Sequence, residues 1–106
     1  MEIEDLKPNQ KVYLEGVEII EVGEIFQGTS KKTGQDYKVQ ALKVKDETGE
    51  ANISLWNKET GNFAVSEKIS VLNGFCKYNN HQGRLEVTTG KLGKIHKHKV
   101  DINPKK

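Results

Sequence analysis

Short segments of alternating apolar and polar residues, separated by glycine-containing turns, make up most of this sequence. They predict five strands: Val17 to Ile25, Tyr37 to Lys45, Ala51 to Trp56, Lys68 to Tyr78 and Arg84 to Thr88. No window of adequate length has the 3.6-residue period of an amphipathic helix. An all-β, five-stranded barrel with a short helix or turn at 57–66 is therefore favoured. A sandwich is the alternative, but it normally needs about seven strands.

The length of the chain, 106 residues, fits one domain. We assign residues 1–98 to this domain and residues 99–106 to a short basic tail. No apolar run approaches the roughly 18 residues of a membrane span, and the first ten residues lack the apolar core of a signal peptide. The expected location is inside the cell: cytoplasmic and nucleoid-associated in an archaeon, nuclear in a eukaryote.

Charge is distributed unevenly along a chain whose net charge is only +2. Residues 1–30 hold seven acidic and two basic side chains, whereas residues 77–106 hold eight basic and two acidic ones. This asymmetry predicts one positive face, as in proteins that bind polyanions, although a solvated lysine surface explains it equally well. Sixteen of the seventeen bases are lysine. Lysine suits contact with phosphates better than bidentate reading of guanine.

Trp56 is the most informative single residue. Alternation along Ala51 to Trp56 places Ala51, Ile53 and Leu55 on one face and Trp56 on the other, with polar neighbours. Aromatic rings beside cations on a sheet surface are typical of proteins that bind single-stranded nucleic acid. Phe75 and Tyr78 add rings beside Lys77, but strict alternation turns Phe75 inward unless Gly74 carries a bulge.

Other chemistry has little support in the sequence. The polar turn from Gly28 to Gly34 lacks the order of a Walker loop, because Lys32 and Thr33 precede the second glycine; Lys31 and Lys32 in this turn can instead reach a phosphate backbone. His96 and His98 share a strand face, but the surrounding lysines oppose a metal ion. The single cysteine, Cys76, excludes an internal disulfide and is expected to be a reduced, unreactive thiol. We expect neither an enzyme nor a cofactor.

Several short motifs recur in the order and spacing of one protein family. They are Lys7-Pro8, Asp46-Glu-Thr-Gly49, Ile53-Ser-Leu-Trp56, Asn73-Gly-Phe75 and the turns at Gly83 and Gly90. The chain resembles, over most of residues 3–95, the single-OB single-stranded-DNA-binding proteins of archaea. The same likeness extends to the B subunit of the metazoan SOSS complex and to the OB domains of replication protein A. The resemblance implies a five-stranded OB barrel whose open face stacks bases on aromatic rings.

By position, the resemblance implies that Trp56, Phe75 and Tyr78 are the stacking residues, with Phe75 outward. It also implies that Lys77, Arg84 and Lys91 line the groove as phosphate contacts. Lys31 and Lys32 are further candidates because of their place in the polar turn, independently of the resemblance. The chain departs from SOSS-type members at Thr88, where those members carry another aromatic residue. One stacking platform is therefore expected to be missing.

The sequence leads to a monomeric protein that binds single-stranded DNA in replication, recombination or repair. RNA remains an alternative, since recognition of the 2′-hydroxyl depends on hydrogen bonds that a sequence does not reveal. A second alternative is an OB module that binds other repair or replication proteins through the acidic N-terminal third and the Phe63/Val65 connector.

Overall fold

The chain forms strands almost throughout the described residues, which are 1–80, 83–89 and 93–97 of a computed structural model. The strands are β1 (Gln10–Thr29), β2 (Asp36–Asp46), β3 (Gly49–Trp56), β4 (Lys68–Asn79), β5 (Arg84–Thr88) and β6 (Lys94–Lys97). Short 3₁₀ turns occupy Ile3–Asp5 and Asn57–Glu59. None of the described helical turns has the length and apolar character needed to cross a membrane.

The sheet closes into a ring of five strands. Its order is β1-β2-β3-β5-β4, and β4 pairs again with β1 to complete the circle. The β3–β5 pair is parallel, and the other pairs are antiparallel. The barrel predicted from the sequence is confirmed, and the connector between β3 and β4 contains only a 3₁₀ turn.

The barrel interior is filled by the alternate side chains of the five strands, as the pleat of a strand requires. Aliphatic residues dominate it, and Ile3 joins them from the N-terminal turn. The fully buried residues include Val12, Leu14, Ile19, Leu42, Ile53, Leu55, Ile69, Val71 and Val87. The side chains between these positions therefore point outward, where they are available for contacts.

Bulges allow β1 to pair with two different strands. The β1–β4 register shifts between Leu14 and Val17, where Gly16 has a φ of 68°. The β1–β2 register shifts again between Val22 and Ile25, on either side of Gly23, where the sequence predicts a bend. A bulge increases the local bend of a strand. This bending lets the N-terminal half of β1 close the barrel while its C-terminal half pairs with β2.

Two features of the strands differ from the prediction. β1 runs from Gln10 to Thr29, beyond both predicted ends at Val17 and Ile25. β6 was not predicted; it pairs with β4 from Ile69–Lys97 to Leu72–Lys94, and Ile95 packs against the core. The segment is too short and too polar for its sequence pattern to predict a strand, and pairing with β4 stabilises it. The predicted boundary between residues 98 and 99 lies outside the described residues.

Asp46 joins the β2–β3 turn to the N-terminal segment. Its carboxylate accepts hydrogen bonds from the backbone N–H groups of Ile3 (2.8 Å), Thr48 (2.7 Å) and Gly49 (3.1 Å). Burial opposes ionisation, but these bonds and one from the Thr48 hydroxyl outweigh it and lower the pKa of Asp46. The ionised carboxylate therefore fastens Ile3 and the turn to each other.

We expect Asp46→Ala to lower the free energy of unfolding near neutral pH by about 1–3 kcal/mol, because three partly buried N–H donors lose their acceptor. Because the pKa of Asp46 is lower in the folded protein than in the unfolded one, its ionised carboxylate stabilises the fold at pH values above the unfolded pKa. This stabilisation is lost as the pH falls through the folded pKa. Urea unfolding of both proteins should thus show a difference that shrinks at acid pH. Exposed Glu47→Ala serves as the control. A difference that stayed constant down to acid pH would contradict this role for the charge.

Candidate nucleic-acid interface

Trp56 stands on the outside of the barrel at the end of β3. Ala51, Ile53 and Leu55 on the same strand are buried, whereas the Trp56 side chain is 43% exposed. The Trp56 backbone N–H donates to Glu59 Oε1 at 3.2 Å, which ties the strand end to the following 3₁₀ turn. The alternation seen in the sequence thus holds, and the indole lies on the outer surface.

Phe75 also lies on the outer surface, with 40% of its side chain exposed. Val12 pairs with Gly74 and Leu14 with Val71, so β4 carries an extra residue between these two pairs. The irregularity lies at Leu72–Asn73, where Asn73 has a φ of 54°, rather than at Gly74 as considered from the sequence. This bulge reverses the alternation and turns Phe75 outward.

Gly74 faces the interior at this bulge. A Cβ on Gly74 would lie 2.8 Å from Val71 Cγ1, closer than such atoms normally approach. The missing side chain lets the backbone of β4 pass close to the core. The inward position that strict alternation gives to Phe75 is therefore taken by a residue without a side chain.

An open groove separates Trp56 from β4. Ser54 pairs with Thr88, and Thr88 pairs with Phe75, so β5 lies between the two aromatic strands. The groove has a volume of about 630 Å³, and Trp56, Lys77 and Thr88 are among its lining residues. Because Thr88 is small, the surface between the two rings is open. This is the position at which the sequence departs from SOSS-type proteins.

Tyr78 is placed differently from the other two predicted stacking residues. It pairs with Leu85 and alternates with Lys77, so its side chain leaves the opposite face of the β4–β5 hairpin. Its ring is 52% exposed. The residue borders an adjoining groove of about 370 Å³ near Asn79 and Asn80. Trp56, Lys77 and Thr88 also line this groove, so Tyr78 borders the same groove as Trp56 although it alternates away from the face of Phe75.

Lys77 is the predicted cation that the structure places best. It is exposed, lies on the same face as Phe75, and borders both grooves. Lys31 and Lys32 are exposed in the turn between β1 and β2. Lys91 lies outside the described residues. Lys58, which the sequence analysis did not single out, also borders the larger groove.

Arg84 is already paired within the protein. Its guanidinium Nη2 lies 3.6 Å from Glu86 Oε2. The other oxygen of that carboxylate accepts a hydrogen bond from the Ser54 hydroxyl at 3.3 Å. Arg84 Nε is buried and has no partner among the described residues. Arg84 therefore brings less free charge to the face than the sequence implied.

A second carboxylate shapes the groove beside Trp56. Glu59 accepts the Trp56 N–H through Oε1 and the Thr89 hydroxyl through Oε2, the latter at 2.9 Å. These bonds hold the ends of β3 and β5 together. Glu59 and Glu86 are both negative and repel phosphates. The phosphates of a polyanion crossing this face would therefore lie near Lys77 and Lys58.

Sequence reasoning missed two aromatic residues beside Trp56. The Tyr37 ring centroid lies 5.8 Å from that of Trp56, with the ring planes tilted by 50°. Phe26, with 63% of its side chain exposed, pairs with Val39, which in turn pairs with Trp56. Tyr37 is the first residue of a predicted strand, so alternation along that strand could have assigned its face. Phe26 followed the predicted end of the first strand and was not placed.

The other reactive side chains lie apart from this face. Cys76 is in the core, and burial raises the pKa of its thiol. His96 is exposed on β6, whereas His81 and His98 lie outside the described residues. In the described part of the chain, no three His, Cys, Asp or Glu side chains are placed to hold a metal ion. The groups that the structure brings together on this face are rings, cations and the carboxylates of Glu59 and Glu86.

The connector after β3 is only partly open to contacts. Phe63 is half-buried, packs against the core, and has Lys97 Nζ 6.0 Å from its ring centroid. Val65 is 55% exposed. Of the two connector residues considered for a protein interface, only Val65 presents most of its surface.

Comparison with known proteins identifies the fold. The sequence matches no protein-family model and is significantly similar to no curated protein. The structure is similar to the second OB-fold domain of replication protein A from Methanococcus maripaludis, with a TM-score of 0.78 and 20% identity, covering 97% of this chain and 98% of that one. A replication factor A related protein from Methanobacterium thermoautotrophicum has a TM-score of 0.73 and 17% identity, with 92% and 88% covered.

A third similar structure is an OB domain from Thermoplasma acidophilum, with a TM-score of 0.66 and 19% identity, covering 100% of this chain and 92% of that one. At these identities the likeness concerns the fold. The closed ring of five strands and the coverage of nearly the whole chain agree with it. The chain is therefore an OB-fold domain, built like those of archaeal proteins related to replication protein A.

Proposed function

We propose that this protein binds single-stranded DNA with little sequence preference and so protects it during replication, recombination or repair. The observation that carries the proposal is the pair of exposed rings, Trp56 on β3 and Phe75 on β4, on one outer face, with Lys77 two residues beyond Phe75 on the same strand. Every base has a flat π-face, so stacking on such rings tolerates any sequence. The OB-fold domains of replication proteins to which the structure is similar support a role with nucleic acid.

The cations of the face support contact with phosphates rather than reading of bases. Lys77 borders the groove directly, and Lys31 and Lys32 extend the charge to the β1–β2 turn. Arg84, the one arginine in the sequence, forms an ion pair with Glu86. Lysine neutralises phosphates as a mobile point charge, whereas bidentate reading of guanine favours a free guanidinium. We propose that the protein acts as a monomer and that it works alongside other repair or replication proteins.

Tryptophan fluorescence tests the proposal directly, because Trp56 is the only tryptophan in the chain. Titration with oligo-dT should quench its emission, since a base would stack on the indole. Repeating the titration at higher salt should weaken binding, because each neutralised phosphate releases a counterion. Unchanged emission at low salt, together with an unshifted mobility of the labelled oligonucleotide, would refute the proposal.

Lys77→Gln should reduce the dependence of affinity on salt. Loss of one phosphate contact to a single strand lowers the slope of log K against log salt by about 0.7. The matched control is Lys68→Gln, an exposed lysine at the opposite end of β4, which should keep the wild-type slope. The measurement is a set of oligo-dT titrations over a range of salt concentrations. Equal slopes for the Lys77 and Lys68 variants would remove Lys77 from the site.

Single-stranded RNA is the alternative ligand for the same face. Stacking and phosphate contacts serve both polymers, and only hydrogen bonds to the 2′-hydroxyl distinguish them. Competition of oligo-U against labelled oligo-dT of equal length decides between them. Stronger competition by oligo-U than by unlabelled oligo-dT would assign the face to RNA.

A further inference from the structure

The outer half of the β1–β2 hairpin projects from the barrel as an arm, which we define as residues 23–39. No residue of the arm is buried, whereas the barrel portions of β1 and β2 contain the core residues Ile19 and Leu42. The arm does not contribute to the core, so its exposed aromatic residues are not needed to fill it.

One face of the arm continues the surface that carries Trp56. Phe26 pairs with Val39, and Val39 pairs with Trp56. Directly paired residues of antiparallel strands point to the same side of the sheet. Two strand spacings separate Phe26 from Trp56, or roughly 10 Å. The two rings thus stand on one surface with the apolar side chain of Val39 between them.

Tyr37 fills the next position of this face and links it to Trp56. It pairs with Gly28, and a Cβ on Gly28 would lie 2.6 Å from the Tyr37 hydroxyl oxygen and 2.7 Å from Cζ. The glycine therefore leaves the space in which the Tyr37 ring rests. From there the ring reaches Trp56, at a centroid distance of 5.8 Å.

Hydrogen bonds hold the end of the arm in this arrangement. The Thr29 hydroxyl donates to Asp36 Oδ1 at 2.9 Å, and the Ser30 N–H donates to the Gln35 carbonyl at 2.8 Å. The Gly34 N–H closes the turn onto the Ser30 carbonyl at 2.8 Å. The ring face is therefore carried on an ordered hairpin, with Lys31 and Lys32 beyond it.

Two lysines lie near Tyr37, at the edge of this face. A groove of about 400 Å³ beside Tyr37 is bordered by Lys58 and by Lys38, which alternates with Tyr37 and so leaves the opposite face of the arm. Lys58 borders the Trp56 groove as well, so this lysine is near both grooves. An exposed ring stacks with a base, and a mobile lysine nearby contacts the phosphate of that base. A folded side chain of a protein partner would instead need a deep pocket.

We infer that Phe26 and Tyr37 form a second base-stacking platform, which lengthens the path of single-stranded DNA from Trp56 along the arm toward Lys31 and Lys32. The inference rests on the proposed function, because it assumes that Trp56 stacks with a base. The arm then enlarges the number of nucleotides that one copy of the protein covers. It also supplies rings beyond the open position at Thr88.

The test compares two lengths of oligo-dT, one of about 4–6 nucleotides and one of about 16, the range of site sizes covered by single OB folds. Phe26→Ser should weaken binding of the long oligonucleotide about fivefold or more, the loss expected for one stacked base, and leave the short one unchanged. Phe26→Tyr retains a ring and should bind both lengths like the wild-type protein. Thermal unfolding checks that both variants are folded, as expected for an exposed position.

Gly28→Val tests Tyr37 separately, since a side chain at Gly28 would displace the Tyr37 ring. It should weaken binding of the long oligonucleotide more than that of the short one. Equal affinities of wild-type protein and both ring-disrupting variants for the long oligonucleotide would overturn the inference and leave the arm face to a protein partner. If wild-type protein bound neither length, the proposed function would fail and the inference with it. Binding of both lengths with no effect of the arm variants would sink the inference alone.

Discussion

Trp56→Ala is expected to weaken binding of oligo-dT by about 1–3 kcal/mol, the effect of removing one stacked base from an aromatic ring. At room temperature this corresponds to roughly a fivefold to 150-fold higher Kd. The loss follows from the position of the indole, which is 43% exposed and borders both the barrel groove and the groove beside Lys77 and Tyr78. Because the variant has no tryptophan, the measurement is fluorescence anisotropy of a labelled oligonucleotide.

Trp56→Phe is the matched control for this experiment. It keeps an aromatic ring at the same position of β3 and should retain most of the affinity. Both variants should unfold at nearly the same urea concentration as the wild-type protein, since the side chain lies outside the core. Wild-type affinity in Trp56→Ala would exclude the indole from the binding site.

Leu55→Ala should have the opposite consequences although it is the neighbouring residue. Its side chain is fully buried among the aliphatic residues of the barrel. Removing such a side chain leaves a cavity and costs about 2–5 kcal/mol of unfolding free energy. This is a large share of the roughly 5–15 kcal/mol that stabilises a domain. Urea unfolding followed by circular dichroism measures the loss.

The folded fraction of Leu55→Ala should still bind oligo-dT, because the outer face keeps its rings and cations. Leu55→Met preserves the volume and should cost less than about 1.5 kcal/mol. If Leu55→Ala unfolded like the wild-type protein while Trp56→Ala lost several kcal/mol, the two faces of β3 would have been assigned the wrong way round.

Strand β3 shows how much a local pattern can predict. Ala51, Ile53, Leu55 and Trp56 alternate without interruption, and β3 pairs with β2 without a register shift. Nothing outside the strand was needed to place the indole on the surface. The hairpin turn from Asp46 to Gly49 was equally readable, since its residue types favour a turn wherever they occur.

Phe75 shows where local reasoning stops. Its orientation depends on an extra residue at Leu72–Asn73, and that bulge exists only through the pairing of β4 with β1. Local alternation predicted the wrong face for it. The resemblance to single-stranded-DNA-binding proteins implied the right one, since it carries information about the assembled barrel. Tyr78 alternates with Lys77 but borders one groove together with Trp56, and its role in stacking stays a prediction.

The strand faces, the turns and the barrel class were readable from residue types and their spacing, because the pleat of a strand and the geometry of a turn act over a few neighbouring residues. The β6 pairing, the outward ring of Phe75, and the row from Phe26 through Val39 to Trp56 arise from registers between distant segments. Each register shift moves side chains to the other face of the sheet. Such shifts are set by how the whole barrel closes, and so the full extent of the aromatic surface emerged only with the folded chain.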